Sequence, residues 1–206
     1  MAEETLTHPL SPLFHEALVY AATLHRDQSR KGTQTPYVAH LLGVASLVLE
    51  HGGTEEEAIA ALLHDSIEDQ GIEHAPEIQR RFGPAVYAIV SGCSDAEVTK
   101  GAVKPPWRAR KEAYVAHVRT AGPSMRLVSA ADKLYNARAL LSDYREIGEK
   151  LWDRFSGGRD SLWYYRALVT ALREGSDCSE TAPGLRRLVD ELERVVSELE
   201  RAAEKD

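Results

Sequence analysis

The chain has 206 residues, 43% of them apolar, with 25 basic and 32 acidic side chains giving a formal net charge of −7 at pH 7. That length sustains one well-packed core, so a single domain is expected. The negative balance argues against non-specific nucleic-acid binding, and an anionic ligand would need a local basic patch. No run approaches the ~18 consecutive apolar residues of a membrane span. Met1-Ala2-Glu3-Glu4 lacks a signal-peptide core, and Cys93 and Cys178 have neither redox nor metal spacing. The expectation is a soluble protein of a reducing cytoplasm, engaging neither nucleic acid nor membrane.

Helical spacing recurs along almost the whole chain and no stretch alternates at period two, so the expected class is all-α. Ser11-Pro12 supplies a cap and a first-turn proline. The helix it opens carries Phe14, Leu18, Ala21, Ala22 and His25 on its apolar side, with Gly32 as its expected stop. Pro36 opens a second helix through Tyr37, His40, Leu41, Val44, Leu47 and Val48, closed by Gly52-Gly53. Thr54 and Glu57 form a capping box for a third, with Ile59, Leu62 and Leu63. Residues 76–92 read as two helical pieces broken at Gly83-Pro84, and 94–106 as a surface loop around Pro105-Pro106. The basic stretch Trp107 to Lys111 leads into helix through Tyr114, Val115 and Val118. After Gly122-Pro123 a long helix carries Met125, Leu127, Val128, Ala131, Leu134, Tyr135, Leu140 and Leu141. Beyond Gly157-Gly158, one more helix is marked by Leu162, Tyr165, Leu168, Val169 and Leu172. A polar loop spans Gly175 to Gly184, and Leu185, Leu188, Leu192, Val195 and Leu199 mark the last helix. Its seam resembles two heptads; packing on the bundle is favoured, with a homodimer contact as the alternative.

One stretch stands apart: Leu62-Leu63-His64-Asp65-Ser66-Ile67-Glu68-Asp69-Gln70. His64 and Glu68 are four apart, as are Asp65 and Asp69, so a continuous helix would carry two neighbouring polar stripes. Three carboxylates near a helix C-terminus repel one another and oppose the macrodipole, and a bound cation relieves both. The bland reading is a solvated acidic helix end. The interleaved Leu62, Leu63 and Ile67 argue that the polar groups point inward instead. Two adjacent side chains cannot complete a metal shell. His40 and Asp132 are polar positions in core-like surroundings on other helices. For each alone, a satisfied core hydrogen bond is as good an account as ligation.

Taken together, His40, His64-Asp65 and Asp132 match the H…HD…D pattern of HD-domain phosphohydrolases. Three further features narrow the likeness: Arg30-Lys31 ahead of Pro36-Tyr37-Val38-Ala39-His40, the extended His64 to Asp69 motif, and Ala131-Asp132-Lys133-Leu134-Tyr135-Asn136-Ala137-Arg138. From about Phe14 to about Leu172 the chain resembles the hydrolase domain of the RelA/SpoT alarmone proteins and its stand-alone relatives, the small alarmone hydrolases. The resemblance implies a single-domain HD-type bundle over 11–175, preceded by an N-terminal segment, 1–10. For 176–206, a loop and C-terminal helix packing on that bundle are expected from the apolar seam and not from the resemblance. It also implies a divalent metal, Mn²⁺ in that family, held by His40, His64, Asp65 and Asp132. Glu68 and Asp69 would orient or deprotonate the attacking water. Asn136 would face the same pocket, and Arg30 and Lys31 would contact phosphate. The loop before His40 is one residue longer here than the family pattern, which makes Arg26 a substitute phosphate contact.

The chemistry of these residues agrees. Two imidazoles and two carboxylates suit Mn, Fe, Co or Zn without selecting among them. An uncoordinated carboxylate can take a proton from water. Arg30, Lys31, Lys100, Lys104, Arg108, Arg110, Lys111 and Arg138 are available to phosphoryl charge, their bland reading being solvated surface. Trp163, Tyr164, Tyr165 and Tyr37 are candidates for a base-stacking wall, although aromatics at helical spacing are more often core. The leading expectation is a 3′-pyrophosphohydrolase of guanosine 3′,5′-bispyrophosphate and its pentaphosphate relative, releasing pyrophosphate and GDP or GTP. The alternatives are an HD-type hydrolase of another nucleotide, such as one removing the NADPH 2′-phosphate, and a nucleotide-sensing binding module.

Overall fold

The structure, a computed structural model, describes residues 10–94, 105–174 and 183–204. Among these residues the fold is all-α, and the extended backbone is one isolated bridge between Ser29 and Pro36. The expected 1–10 segment, apart from its last residue, lies outside the described residues, as do most of the expected 94–106 and 175–184 loops with Lys100 and Lys104.

Local signals set most helix ends. Helix α1 (Pro12–Leu24) begins where the Ser11 hydroxyl accepts the Leu13 amide at 3.1 Å. Helix α2 (Val38–Glu50) is followed by α3 (Glu55–Leu63), opened by the reciprocal Thr54–Glu57 capping box. Helix α4 (Ala75–Cys93) is two pieces joined at a kink, because Gly83 takes φ 90° ahead of Pro84. Helices α5 (Trp107–Thr120), α6 (Pro123–Ile147), α7 (Ser161–Glu174) and α8 (Pro183–Ala203) complete the bundle.

Two stretches depart from the sequence expectations. Helix α1 stops at Leu24, not at Gly32. The polar run Arg26 to Lys31 has no apolar face to bury. Residues 26–37 instead fold back as a loop, with the Arg30 amide donating to the Thr35 carbonyl at 2.8 Å and the Tyr37 amide to that of Gln28 at 3.0 Å. Gly32, at φ 75°, turns its tip. Pro36 belongs to that loop's bridge, so α2 starts two residues later than expected. The second stretch is the metal-type motif. Helix α3 ends at Leu63, and Ser66–Gln70 form a separate, wider π-helical turn.

Helix α3 is the central element. Its residues Ala58, Ile59, Ala60, Ala61, Leu62 and Leu63 are all fully buried, among α1, α2, α4 and α6. A helix buried on every side needs no polar face. Helix α6 likewise runs buried from Met125 to Asp132. It approaches α2 closely at Gly43, where an added Cβ would lie 2.0 Å from a Tyr135 ring carbon. Helix α8 lies along α6 and α7 and buries Leu185, Leu188, Leu192, Val196 and Leu199; Val195 of the expected seam is only partly covered. Ion pairs flank that seam: Arg138 with Glu191, Arg145 with Glu198, Arg166 with Glu200, and Arg173 with Asp190 at 2.8 Å.

Candidate metal centre and active site

Three helices deliver four potential ligands to one point. His40 comes from the first turn of α2, His64 and Asp65 from the turn ending α3, and Asp132 from the middle of α6. The His40 Nε2 atom lies 3.3 Å from His64 Nε2, 3.4 Å from Asp65 Oδ2 and 3.3 Å from Asp132 Oδ1. The His64 Nε2 atom lies 2.9 Å from Asp65 Oδ2 and 3.6 Å from Asp132 Oδ1. Donor atoms sharing one ion at about 2.0–2.2 Å lie roughly 3–3.5 Å apart, so these separations suit a divalent cation. His40, His64 and Asp65 meet that condition as a mutual group, and Asp132 joins through both imidazoles. The His64 Nδ1 donates to the Ala61 carbonyl at 2.8 Å, which fixes the ring and aims Nε2 at the cluster. Two buried Nε2 atoms face to face leave each other unsatisfied unless a proton or a cation stands between them.

A second ring of side chains orients the carboxylates. The Tyr37 hydroxyl donates to Asp65 Oδ2 at 2.5 Å. Asn136 Nδ2 donates to Asp132 Oδ1 at 2.5 Å, Lys133 pairs with Asp132 Oδ2, and Arg30 donates to Asn136 Oδ1 at 2.7 Å. Burial opposes ionisation of Asp65, yet the His64 charge and hydrogen bonds from both imidazoles hold it well below the ordinary carboxylate range. Burial opposes Asp132 too, and Lys133 together with His40 and His64 outweighs it, holding this carboxyl well below the ordinary range. Asp69 differs: burial and the nearby Asp65 charge push it up.

Tyr37, Lys133 and Asn136, which hold the cluster, also line a cavity of about 740 Å³. Glu68 and Asp69 stand on one side of it. Arg30, Lys31, Arg110, Lys111, Lys133 and Arg138 surround it, with Trp107, Phe155, Tyr164 and Tyr165 as aromatic wall. Six cations against three acids, Glu68, Asp69 and Asp143, make this a basic basin in an acidic protein.

A family model described as an HD domain matches residues 17–163, most of the chain. The chain belongs to the HD-domain family. This HD domain is similar to the guanosine-3′,5′-bis(diphosphate) 3′-pyrophosphohydrolase MESH1 of Xenopus tropicalis, at 38% identity over 62% of this chain and 69% of that one. The protein of the same name from Homo sapiens is 36% identical over 61% and 68%. A solved structure, described as a metazoan ortholog of SpoT that hydrolyzes ppGpp, matches with a TM-score of 0.68 and 28% identity, over 91% of this chain and 97% of that one. A divalent metal is in keeping with the family and with the His-His-Asp group. Among the described residues no helix is long and apolar enough to cross a membrane.

Within this HD domain the expected residues are placed unequally. His40, His64, Asp65 and Asp132 converge. Glu68 and Asp69 line the cavity, and the Asp69 amide donates to the Asp65 carbonyl at 2.9 Å across the turn. Because α3 stops at Leu63, the adjacent His64 and Asp65 both enter the cluster. Arg30, Lys31 and Asn136 line the cavity, and Lys31 lies 5.5 Å over the Phe155 ring. Arg138 lines it while pairing with Glu191 of α8. Arg26 pairs with Asp27 in solvent and is not among the lining residues. Arg108 and Trp163 stack on each other away from the lining, at 3.3 Å. Sequence reading missed Lys133, whose signal was available: a lysine beside Asp132 in a run of buried residues must carry its charge to a partner. It also missed the Tyr37 hydroxyl as a donor to Asp65, having considered only the ring.

Proposed function

We propose that this HD domain is a guanosine 3′,5′-bis(diphosphate) 3′-pyrophosphohydrolase that also accepts the pentaphosphate relative, releasing pyrophosphate and leaving GDP or GTP. The observation that carries the reading is the single cavity joining Glu68 and Asp69 to Arg30, Lys31, Lys133 and the other basic side chains, directly beside the His–Asp cluster. The printed activity of the similar MESH1 proteins supports the choice of nucleotide. Its volume lies within the range of small-molecule sites.

His40, His64, Asp65 and Asp132 would hold the metal, for which we propose Mn²⁺. Such an ion supplies Lewis acidity, lowering the pKa of water and offsetting phosphoryl charge. The chain's own groups account for the remaining work. Lys133, Arg30 and Lys31 bind phosphate oxygens, and Arg110, Lys111 and Arg138 serve the second diphosphate across the basin. Tyr164, Tyr165 and Phe155 give the base an apolar wall. Glu68 orients the attacking water and Asp69 takes its proton; a carboxylate whose pKa is raised is the better acceptor near neutrality. The water oxygen joins the phosphorus attached to O3′, the bond from that phosphorus to O3′ breaks, and the proton passes to O3′. We take the compartment to be the cytoplasm, where isolated cysteines stay reduced.

Purified protein in Mn²⁺ should release pyrophosphate and GDP from guanosine 3′,5′-bis(diphosphate). Absence of that release, alongside full turnover of another nucleotide such as NADPH to NADH and phosphate, would overturn the substrate assignment.

A further inference from the structure

Gln28 sits in the loop between α1 and α2, forty-one positions before Asp69, and its amide reaches that carboxylate: Nε2 donates to Asp69 Oδ2 at 2.7 Å. The amide is itself held from the other end. Gln28 Oε1 lies 2.7 Å from Gln70 Nε2 and 2.7 Å from His25 Nδ1. His25 is 2% exposed and burial lowers its pKa, which favours the neutral ring; the 2.7 Å contact with the acceptor Gln28 Oε1 assigns its one proton to Nδ1. Its other nitrogen has no hydrogen-bond partner, and its ring stacks on Tyr37 at 5.1 Å, 19° from parallel. With His25 and Gln70 both donating to Oε1, the amide cannot flip without turning Nε2 against two donors. The direction of the Gln28 side chain is therefore set, and with it one oxygen of Asp69.

We propose that Gln28 is a positioning residue for Asp69, its amide locked by His25 and Gln70 so that the carboxylate is presented to the cavity in one orientation. This rests on Asp69 acting on the water as proposed above. A carboxylate on a wide, partly solvated turn has rotational freedom that a proton acceptor must give up, and misplacement by about 1 Å can cost on the order of 100-fold in rate.

The test is a double-mutant cycle on the Mn²⁺-loaded protein with guanosine 3′,5′-bis(diphosphate) as substrate. Gln28→Met, close in volume and without hydrogen bonds, should lower kcat by roughly 10- to 100-fold while KM and bound metal stay at the parent values. In an Asp69→Asn background, which has already lost the proton acceptor, Gln28→Met should change kcat no further. Gln70→Leu, which removes only one of the two donors to Oε1, should give a smaller loss in the same direction. If Gln28→Met does not fold, Gln28→Asn, whose amide falls one methylene short of Asp69, carries the same cycle. Parental kcat in Gln28→Met beside an inactive Asp69→Asn overturns the positioning role, as does a full further loss in the double mutant. Parental kcat in Asp69→Asn alone overturns the assignment of Asp69 itself.

Discussion

At the scale of single residues, the cluster gives Asp65 Oδ2 and both oxygens of Asp132 assigned neighbours. Asp65 Oδ2 faces both imidazoles and the Tyr37 hydroxyl; Asp132 Oδ1 faces both imidazoles and Asn136, while Oδ2 goes to Lys133. Groups that hold a ligand and groups that act on water should therefore separate by mutation. Asp65→Ala should lose bound metal and turnover together. Glu68→Ala should keep the metal and lose turnover by on the order of 100-fold or more. Metal analysis of the two purified variants checks this, and an equal fall in metal content would show the roles to be wrongly divided. Tyr37→Phe should weaken metal binding by roughly 10- to 100-fold, the usual effect of removing a partner of a ligand, measured by titration of the metal-free protein. Its apolar contacts with His25 and His40 would remain, so its melting temperature without metal should change little.

At the scale of elements, the site depends on how closely α2 and α6 approach. His40 and Asp132 lie on those two helices, three residues before Gly43 and three before Tyr135 respectively, and it is at Gly43 that the Tyr135 ring nests. The Tyr135 hydroxyl then donates to the Ala39 carbonyl at 3.2 Å. A methyl group at 43 would overlap a rigid ring. Gly43→Ala should therefore cost about 1–3 kcal/mol through overpacking, exceeding the ~1 kcal/mol that alanine gains in an unstrained helix. Thermal unfolding should show a lowered melting temperature, and metal affinity should fall with it because the ligand helices are pushed apart. An unchanged melting temperature would mean that the ring moves aside freely. Helix α8 packs along α6, and Arg138 reaches both the cavity and Glu191.

For the molecule as a whole, acid sensitivity follows from buried neutral groups as well as from the cluster. Burial lowers the pKa of His25, and the Gln28 hydrogen bond only partly offsets this. The unfolded chain, with a histidine value near about 6.5, binds the proton first as pH falls. The stability contributed by neutral His25 is therefore complete above that value and is lost as pH drops from there toward the folded value. An NMR titration of the imidazole C–H resonances should place the His25 midpoint below the ordinary histidine value of about 6.5. A midpoint at or above the ordinary value would contradict the burial of this ring.

What the sequence determined alone was whatever depends on neighbours in the chain or on residue chemistry. The Ser11 cap, the Thr54–Glu57 box, the break at Gly83-Pro84 and the separation of α5 from α6 at Gly122-Pro123 are local backbone preferences, and they stand where they were expected. The all-α class followed from periodicity, and the set His40, His64, Asp65 and Asp132 from the family resemblance, whose side chains the fold brings to one point. Tertiary structure decided the rest. The early end of α1, the end of α3 at Leu63 just ahead of His64 and Asp65, and the hold of Gln28 on Asp69 were not legible. Each of the long-range links joins residues far apart in sequence: 41 positions for Gln28 and Asp69, 53 for Arg138 and Glu191, 106 for Arg30 and Asn136. A polar side chain carries no local mark of which distant group will satisfy it; that is set only when the helices pack and water is excluded between them.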